Sequence, residues 1–86
     1  MKIDDVIKEL KRDEKSMRFA RLKAICEHFF GAPRIKGGHH IFSTGLADQP
    51  LVNIQNDRGQ AKDYQVRQVR QALEKKKQQA VEKSDG

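Results

Sequence analysis

Apolar residues in the first third of the chain recur at helical intervals. Ile3, Val6, Ile7 and Leu10 follow i, i+3, i+4, i+7 spacing, which predicts a short amphipathic helix over 3–12. Asp4 and Asp5 stand at its start and Lys11 and Arg12 at its end, the order a helix dipole favours. A helix this short is marginal alone. Asp13 to Ser16 reads as a break, with Ser16 as N-cap of a second helix over 17–30. There Phe19, Leu22, Ile25, Cys26 and Phe29 share one face, while Arg18, Arg21, Lys23 and Glu27 point elsewhere. Gly31 suits the C-terminal cap and Pro33 prevents continuation.

Beyond Pro33 the period changes. Three short strands are predicted over 34–36, 39–43 and 51–55, with Gly37-Gly38 as a two-residue hairpin loop and a longer loop over 44–50. Val52 and Ile54 alternate with Asn53 and Gln55, so the third strand has one buried and one wet face. In the second strand His39, Ile41 and Ser43 share one face, and His40 and Phe42 the other. Each face carries one large apolar residue, so alternation leaves open which is buried. Asn56-Asp57-Arg58-Gly59 is a turn. Asp63 is placed to cap a last helix over 64–79; Val66, Val69 and Leu73 keep the spacing, as does Ala80 just beyond it. Arg67, Arg70, Lys75, Lys76 and Lys77 make it basic, and Ser84-Asp85-Gly86 is expected to fray. The expected fold class is α+β: a small three-stranded antiparallel sheet with helices on one face.

Length bounds this reading. Eighty-six residues, 36% hydrophobic and 35% charged, make one domain with a modest core and no room for a large buried cofactor. The net charge is +6, and it is spread: residues 1–43 hold ten basic and six acidic side chains, residues 44–86 eight and six. A polyanionic partner is favoured, nucleic acid first and an acidic protein second. A merely solvated charged surface is the other reading, and composition alone does not separate them. The single Cys26 excludes an intrachain disulfide and a cysteine-based zinc cluster. Its place in the apolar rhythm favours a buried structural thiol over a nucleophile. No apolar run reaches membrane-spanning length, and the N-terminus lacks the apolar core of a signal peptide. The expected compartment is the cytoplasm, with no membrane partner.

The chemistry concentrates in Arg34-Ile35-Lys36-Gly37-Gly38-His39-His40-Ile41-Phe42. Two cations lead into a tight turn, and a histidine opens the next strand. Cations hold phosphate, glycines allow close backbone approach, and histidine is the side chain that titrates near neutral pH. A turn can also aim its amides at an anion. His39 and His40 point to opposite faces, so they do not easily share one metal or one substrate; one is free to act while the other packs or hydrogen-bonds, although for an isolated His-His pair packing or surface placement is the commoner outcome. His28 ends the second helix, where interaction with the dipole is the commoner role. No ligand spacing for a metal, carboxylate pair, nucleophile elbow or nucleotide-binding glycine loop is present, so neither metal nor cofactor is expected. The Lys75–Lys77 run reads as a solvated helix end with at most non-specific phosphate contacts.

Lys36-Gly37-Gly38-His39 resembles the hallmark of the HicA family of bacterial toxins, small mRNA-cleaving ribonucleases paired with HicB antitoxins. That hallmark is Gly-Ser-His or Gly-Thr-His after a basic first strand, often preceded by lysine; Gly38 stands here in the Ser/Thr place. His40 and the Ile41-Phe42 pair are also similar, and the likeness extends over roughly 19–75, including the helix that ends in Gly31 and the basic last helix. The resemblance implies an α-β-β-β-α fold akin to a double-stranded-RNA-binding domain over 16–83. Residues 1–15 would be an added N-terminal helix or a mobile arm, and 84–86 a frayed end. It implies a type II toxin–antitoxin endoribonuclease with His39 as the catalytic residue. Arg34, Lys36, Gly37, Gly38, Arg67 and Arg70 are the RNA-binding candidates, and mRNA and a HicB-like antitoxin the partners. Gly38→Ser, which restores the family residue, is expected to maintain or raise activity. The alternative is a non-catalytic RNA-binding module of the same fold, reading shape and phosphates without a histidine. A third, weaker reading is a small adaptor whose basic face serves an acidic partner.

Overall fold

A computed structural model describes residues 1–85, with side chains described to Val81. The elements are α1 (Ile3–Arg12), α2 (Phe19–Phe30), β1 (Arg34–Lys36), β2 (His39–Ser43), β3 (Leu51–Gln55) and α3 (Asp63–Asp85). The class is α+β, with strands in the order β1-β2-β3, all antiparallel.

The register decides the faces. His40 lies opposite Ile35 and Ile54, and Phe42 opposite Val52. Side chains of directly opposed residues stand on the same face. Phe42, Val52 and Ile54 are buried beneath α2 and α3 with Leu22, Ile25, Cys26, Val66, Val69 and Leu73. The His40/Phe42 face, left open by alternation, is therefore the covered one. His40 packs its ring at 5.1 Å, edge-on, against Phe19. Among the described residues no helix lies over the other face.

The tight turn between β1 and β2 has φ of +55° at Gly37 and +85° at Gly38. Two successive positive φ values are what a type I′ hairpin requires, and they match the twist of the flanking strands. Thr44 and Leu46, 2% exposed each, anchor the β2–β3 loop from inside, Thr44 Oγ1 accepting from Leu46 N. Nothing in the sequence pattern marks these two as core.

Three boundaries differ from expectation. Ser16 does not cap the second helix, and residues 17 and 18 are extended. Met17 O accepts from Ala61 N at 2.9 Å and Phe19 N donates to Gly59 O at 3.0 Å, so this stretch pairs with the turn after β3 and α2 starts at Phe19. Asp63 is already helical, since Val66 N donates to Lys62 O. The last helix continues past Gln79 to Asp85, so Ser84 and Asp85 are helical and not frayed; Gly86 lies outside the described residues. Ala80, expected on the apolar stripe, is exposed.

Residues 1–15 are not a mobile arm. α1 lies against α3 and contributes Val6 and Leu10, 2% and 0% exposed, to the common core. Arg21 on α2 donates twice to the Glu9 carboxylate, both at 2.7 Å. Lys77 on α3 pairs with Asp4.

Candidate nucleic-acid interface

The uncovered sheet face carries the motif. Lys36, His39 and Gln55 form one cross-strand row, and Arg34, Ile41 and Asn53 the next. Neighbours in such a row have Cβ atoms about 5 Å apart. The sheet thus sets a lysine on one side of His39 and a glutamine on the other. Arg34 and Lys36 are exposed and make no ion pair among the described residues. Beside them lies an open depression of about 300 Å³ lined by Ala32, Pro33, Arg34, Ile41, Ser43 and Leu51.

Both ring nitrogens of His39 are engaged. Nδ1 lies 3.2 Å from Asn53 Oδ1 and 2.9 Å from Asn53 Nδ2, and Nε2 lies 3.1 Å from Gln55 Nε2. The ring is half-buried, which fixes its plane without closing it off. The two rows offer one imidazole, one adjacent free ammonium and one free guanidinium. That set can seat a phosphodiester and exchange one proton with it.

Of the sequence-derived site residues, the structure brings together Arg34, Lys36, Gly37, Gly38 and His39. It does not bring Arg67 and Arg70 to them. Arg67 lies 3.4 Å from Glu14, and Arg70 3.6 Å from Glu14 and 3.0 Å from Glu74, on the side where α1 packs. Helical periodicity shows that a residue is off the apolar stripe; it does not show which neighbour meets it. The lysine run is similarly engaged: Lys75 pairs with Asp48 at 3.3 Å and Gln49 at 3.0 Å, and Lys76 sits 5.9 Å above the Phe30 ring. His28 is exposed with its ring against Phe29. No group of three or more His, Cys, Asp or Glu side chains among the described residues is placed to hold a metal ion. No helix among them is long and apolar enough to cross a membrane. Cys26 is fully buried, and desolvation, with the Glu27 charge adding, pushes its thiol up to about 12. A neutral, enclosed thiol is no nucleophile.

Sequence reasoning missed Asn53, Gln55 and Gln65 as parts of the site. Alternation had put Asn53 and Gln55 on a wet face, but only the register sets them against His39. Gly38 raises a separate point. A side chain there would meet nothing within 4 Å, yet φ is +85°. Gly38→Ser therefore has space for its hydroxyl but costs about 1 kcal/mol in the left-handed region.

Comparison of the chain with protein-family models, with curated proteins and with solved structures gives no match.

Proposed function

We propose that this chain is a HicA-type toxin: a metal-independent endoribonuclease that cleaves mRNA in the cytoplasm and is held inactive by a HicB-like antitoxin. The observation that carries the reading is the cross-strand row Lys36–His39–Gln55 on the uncovered face, with Arg34 in the next row. An RNA strand laid across this face meets two unpaired cations before it reaches the imidazole. His39 Nε2 takes the proton of a ribose 2′-OH as that oxygen attacks the adjacent phosphorus. The O2′–P bond forms, the P–O5′ bond breaks, and the leaving O5′ takes its proton from solvent. Lys36, with Arg34, balances the charge that builds on the phosphoryl oxygens. The products are a 2′,3′-cyclic phosphate and a 5′-hydroxyl. An antitoxin inhibits by covering the same face.

The test compares purified parent with His39→Ala on a long RNA in EDTA, with circular dichroism showing both folded. The parent is expected to cleave and leave a cyclic phosphate end, and the variant to be inactive. Equal cleavage by both ends the assignment to His39. One observation favours the RNA-binding module instead: both His39 nitrogens are already held by amide side chains. Binding without cleavage by either protein would decide for it.

A further inference from the structure

The backbone N–H of Gln55 is the fixed point of a hydrogen-bond chain that ends on His39. It donates to Gln65 Oε1 at 2.8 Å. A backbone N–H only donates, so the Gln65 amide is oriented: its oxygen faces β3 and its nitrogen must donate elsewhere. Gln65 Nε2 donates to Gln55 Oε1 at 3.2 Å and to the Tyr64 hydroxyl oxygen at 3.3 Å. With that oxygen committed, Gln55 turns Nε2 toward His39 Nε2 at 3.1 Å. An amide nitrogen only donates, so His39 Nε2 accepts. The neutral ring then carries its proton on Nδ1 and donates to Asn53 Oδ1 at 3.2 Å. Asn53 Nδ2 is nearer, at 2.9 Å, but two donors do not bond one another, so the oxygen is the partner. The two glutamine amides of the relay each have one permitted orientation, and both follow from one backbone group.

Gln65 is 2% exposed, a buried polar side chain on an otherwise apolar helix stripe beside Val66 and Val69. Burying an amide costs free energy unless its partners are supplied, and here they lead to one ring. We propose that Gln65 is a positioning residue that acts through Gln55: it sets His39 in the Nδ1–H tautomer and leaves the Nε2 lone pair as the base. The consequence for catalysis rests on the ribonuclease reading; the tautomer itself does not. In the step above, the substrate 2′-OH replaces the Gln55 amide as donor to Nε2. The opposite tautomer would present an N–H where a proton must be accepted.

The experiment reads the ring directly. In ¹⁵N-labelled protein in alkaline buffer, two-bond proton–nitrogen correlations distinguish the tautomers, with His39 assigned by its loss in His39→Ala. The parent is expected to show protonated Nδ1 and bare Nε2. Gln65→Met removes the relay at near-constant volume, and Gln55→Met removes its last link at a half-buried position. Both should move the ring to the Nε2–H form that free imidazole side chains prefer in water. If Gln65→Met does not fold, Gln55→Met decides alone. In the same variants kcat should fall roughly tenfold with KM held, less than the ~10²–10⁴ lost when the general base itself is removed. An Nε2–H ring in the parent overturns the proposal. So do unchanged ring signals in both variants, even where cleavage falls, because the role would then be structural. A tautomer switch in a protein that cleaves no RNA upholds the positioning and sinks only the ribonuclease reading.

Discussion

Neutralising Arg34 and Lys36 together is the sharpest test of the proposed RNA-binding face. Both are exposed on β1, and neither has an intramolecular partner among the described residues, so each is free to displace a counterion from a phosphate. On a single strand each phosphate contact contributes about 0.7 to the slope of log affinity against log salt, so Arg34→Gln with Lys36→Gln should lower the slope by about 1.4. The same term makes the loss about eightfold per contact at about 50 mM salt, or roughly 70-fold for the pair, and roughly tenfold for the pair at about 200 mM. Lys75→Gln, Lys76→Gln and Lys77→Gln together remove three charges and should do less. Lys75 is held by Asp48 and Gln49, Lys77 by Asp4, and Lys76 stacks on Phe30. Fluorescence anisotropy across a salt series measures both sets, using RNA with 2′-O-methyl riboses so that cleavage does not deplete the probe. A larger loss for the triple variant, equal losses, or a salt-independent affinity would refute a binding face centred on β1.

Three further outcomes follow. Leu10→Ala should destabilise the chain by about 3 kcal/mol, because Leu10 is fully buried and the cavity adds to the transfer cost; thermal denaturation should fall by roughly 12–24 °C, and a loss under about 1 kcal/mol would remove α1 from the core. The Arg21 hydrogen bonds hold the Glu9 carboxyl below its ordinary range, so this pair stabilises the fold above about pH 4.3 and the contribution is lost as pH falls through the folded value. Glu9→Gln should therefore cost about 0.5–1 kcal/mol at neutral pH, modest because Arg21 is 43% exposed, and nothing in strong acid; urea titrations at both pH values measure the difference. Cys26, enclosed and held protonated, should be inert to a disulfide reagent in native protein and react fully in denaturant.

The three strands and α1 were legible because their signals are local. Gly37-Gly38 reports a turn whose φ values only glycine adopts freely, and Ile3, Val6, Ile7 and Leu10 report a stripe one helix wide. The α2 start was not legible. Ser16 has the chemistry of a cap, but Met17 O and Phe19 N gain backbone partners at Ala61 and Gly59, forty or more positions away, and those bonds outweigh one side-chain cap. The same limit explains the site. Arg34, Lys36 and His39 meet across one hairpin turn, so the sequence places them together. Gln55 and Gln65 come from separate elements, and Arg67 and Arg70 are drawn toward Glu14 and Glu74.

What the sequence determined by itself is every element whose cause lies within one turn of helix or one hairpin: α1, the Gly37-Gly38 turn, the alternation that parts His39 from His40, and the basic strand beside them. Only the tertiary structure decided which sheet face the helices cover, which cations are left unpaired, and which amides hold the His39 ring. Those outcomes depend on the register of β2 against β3 and on how α3 packs across the sheet. Both are set by burying Phe42, Val52, Ile54, Val66 and Leu73 together, and no local pattern contains that sum.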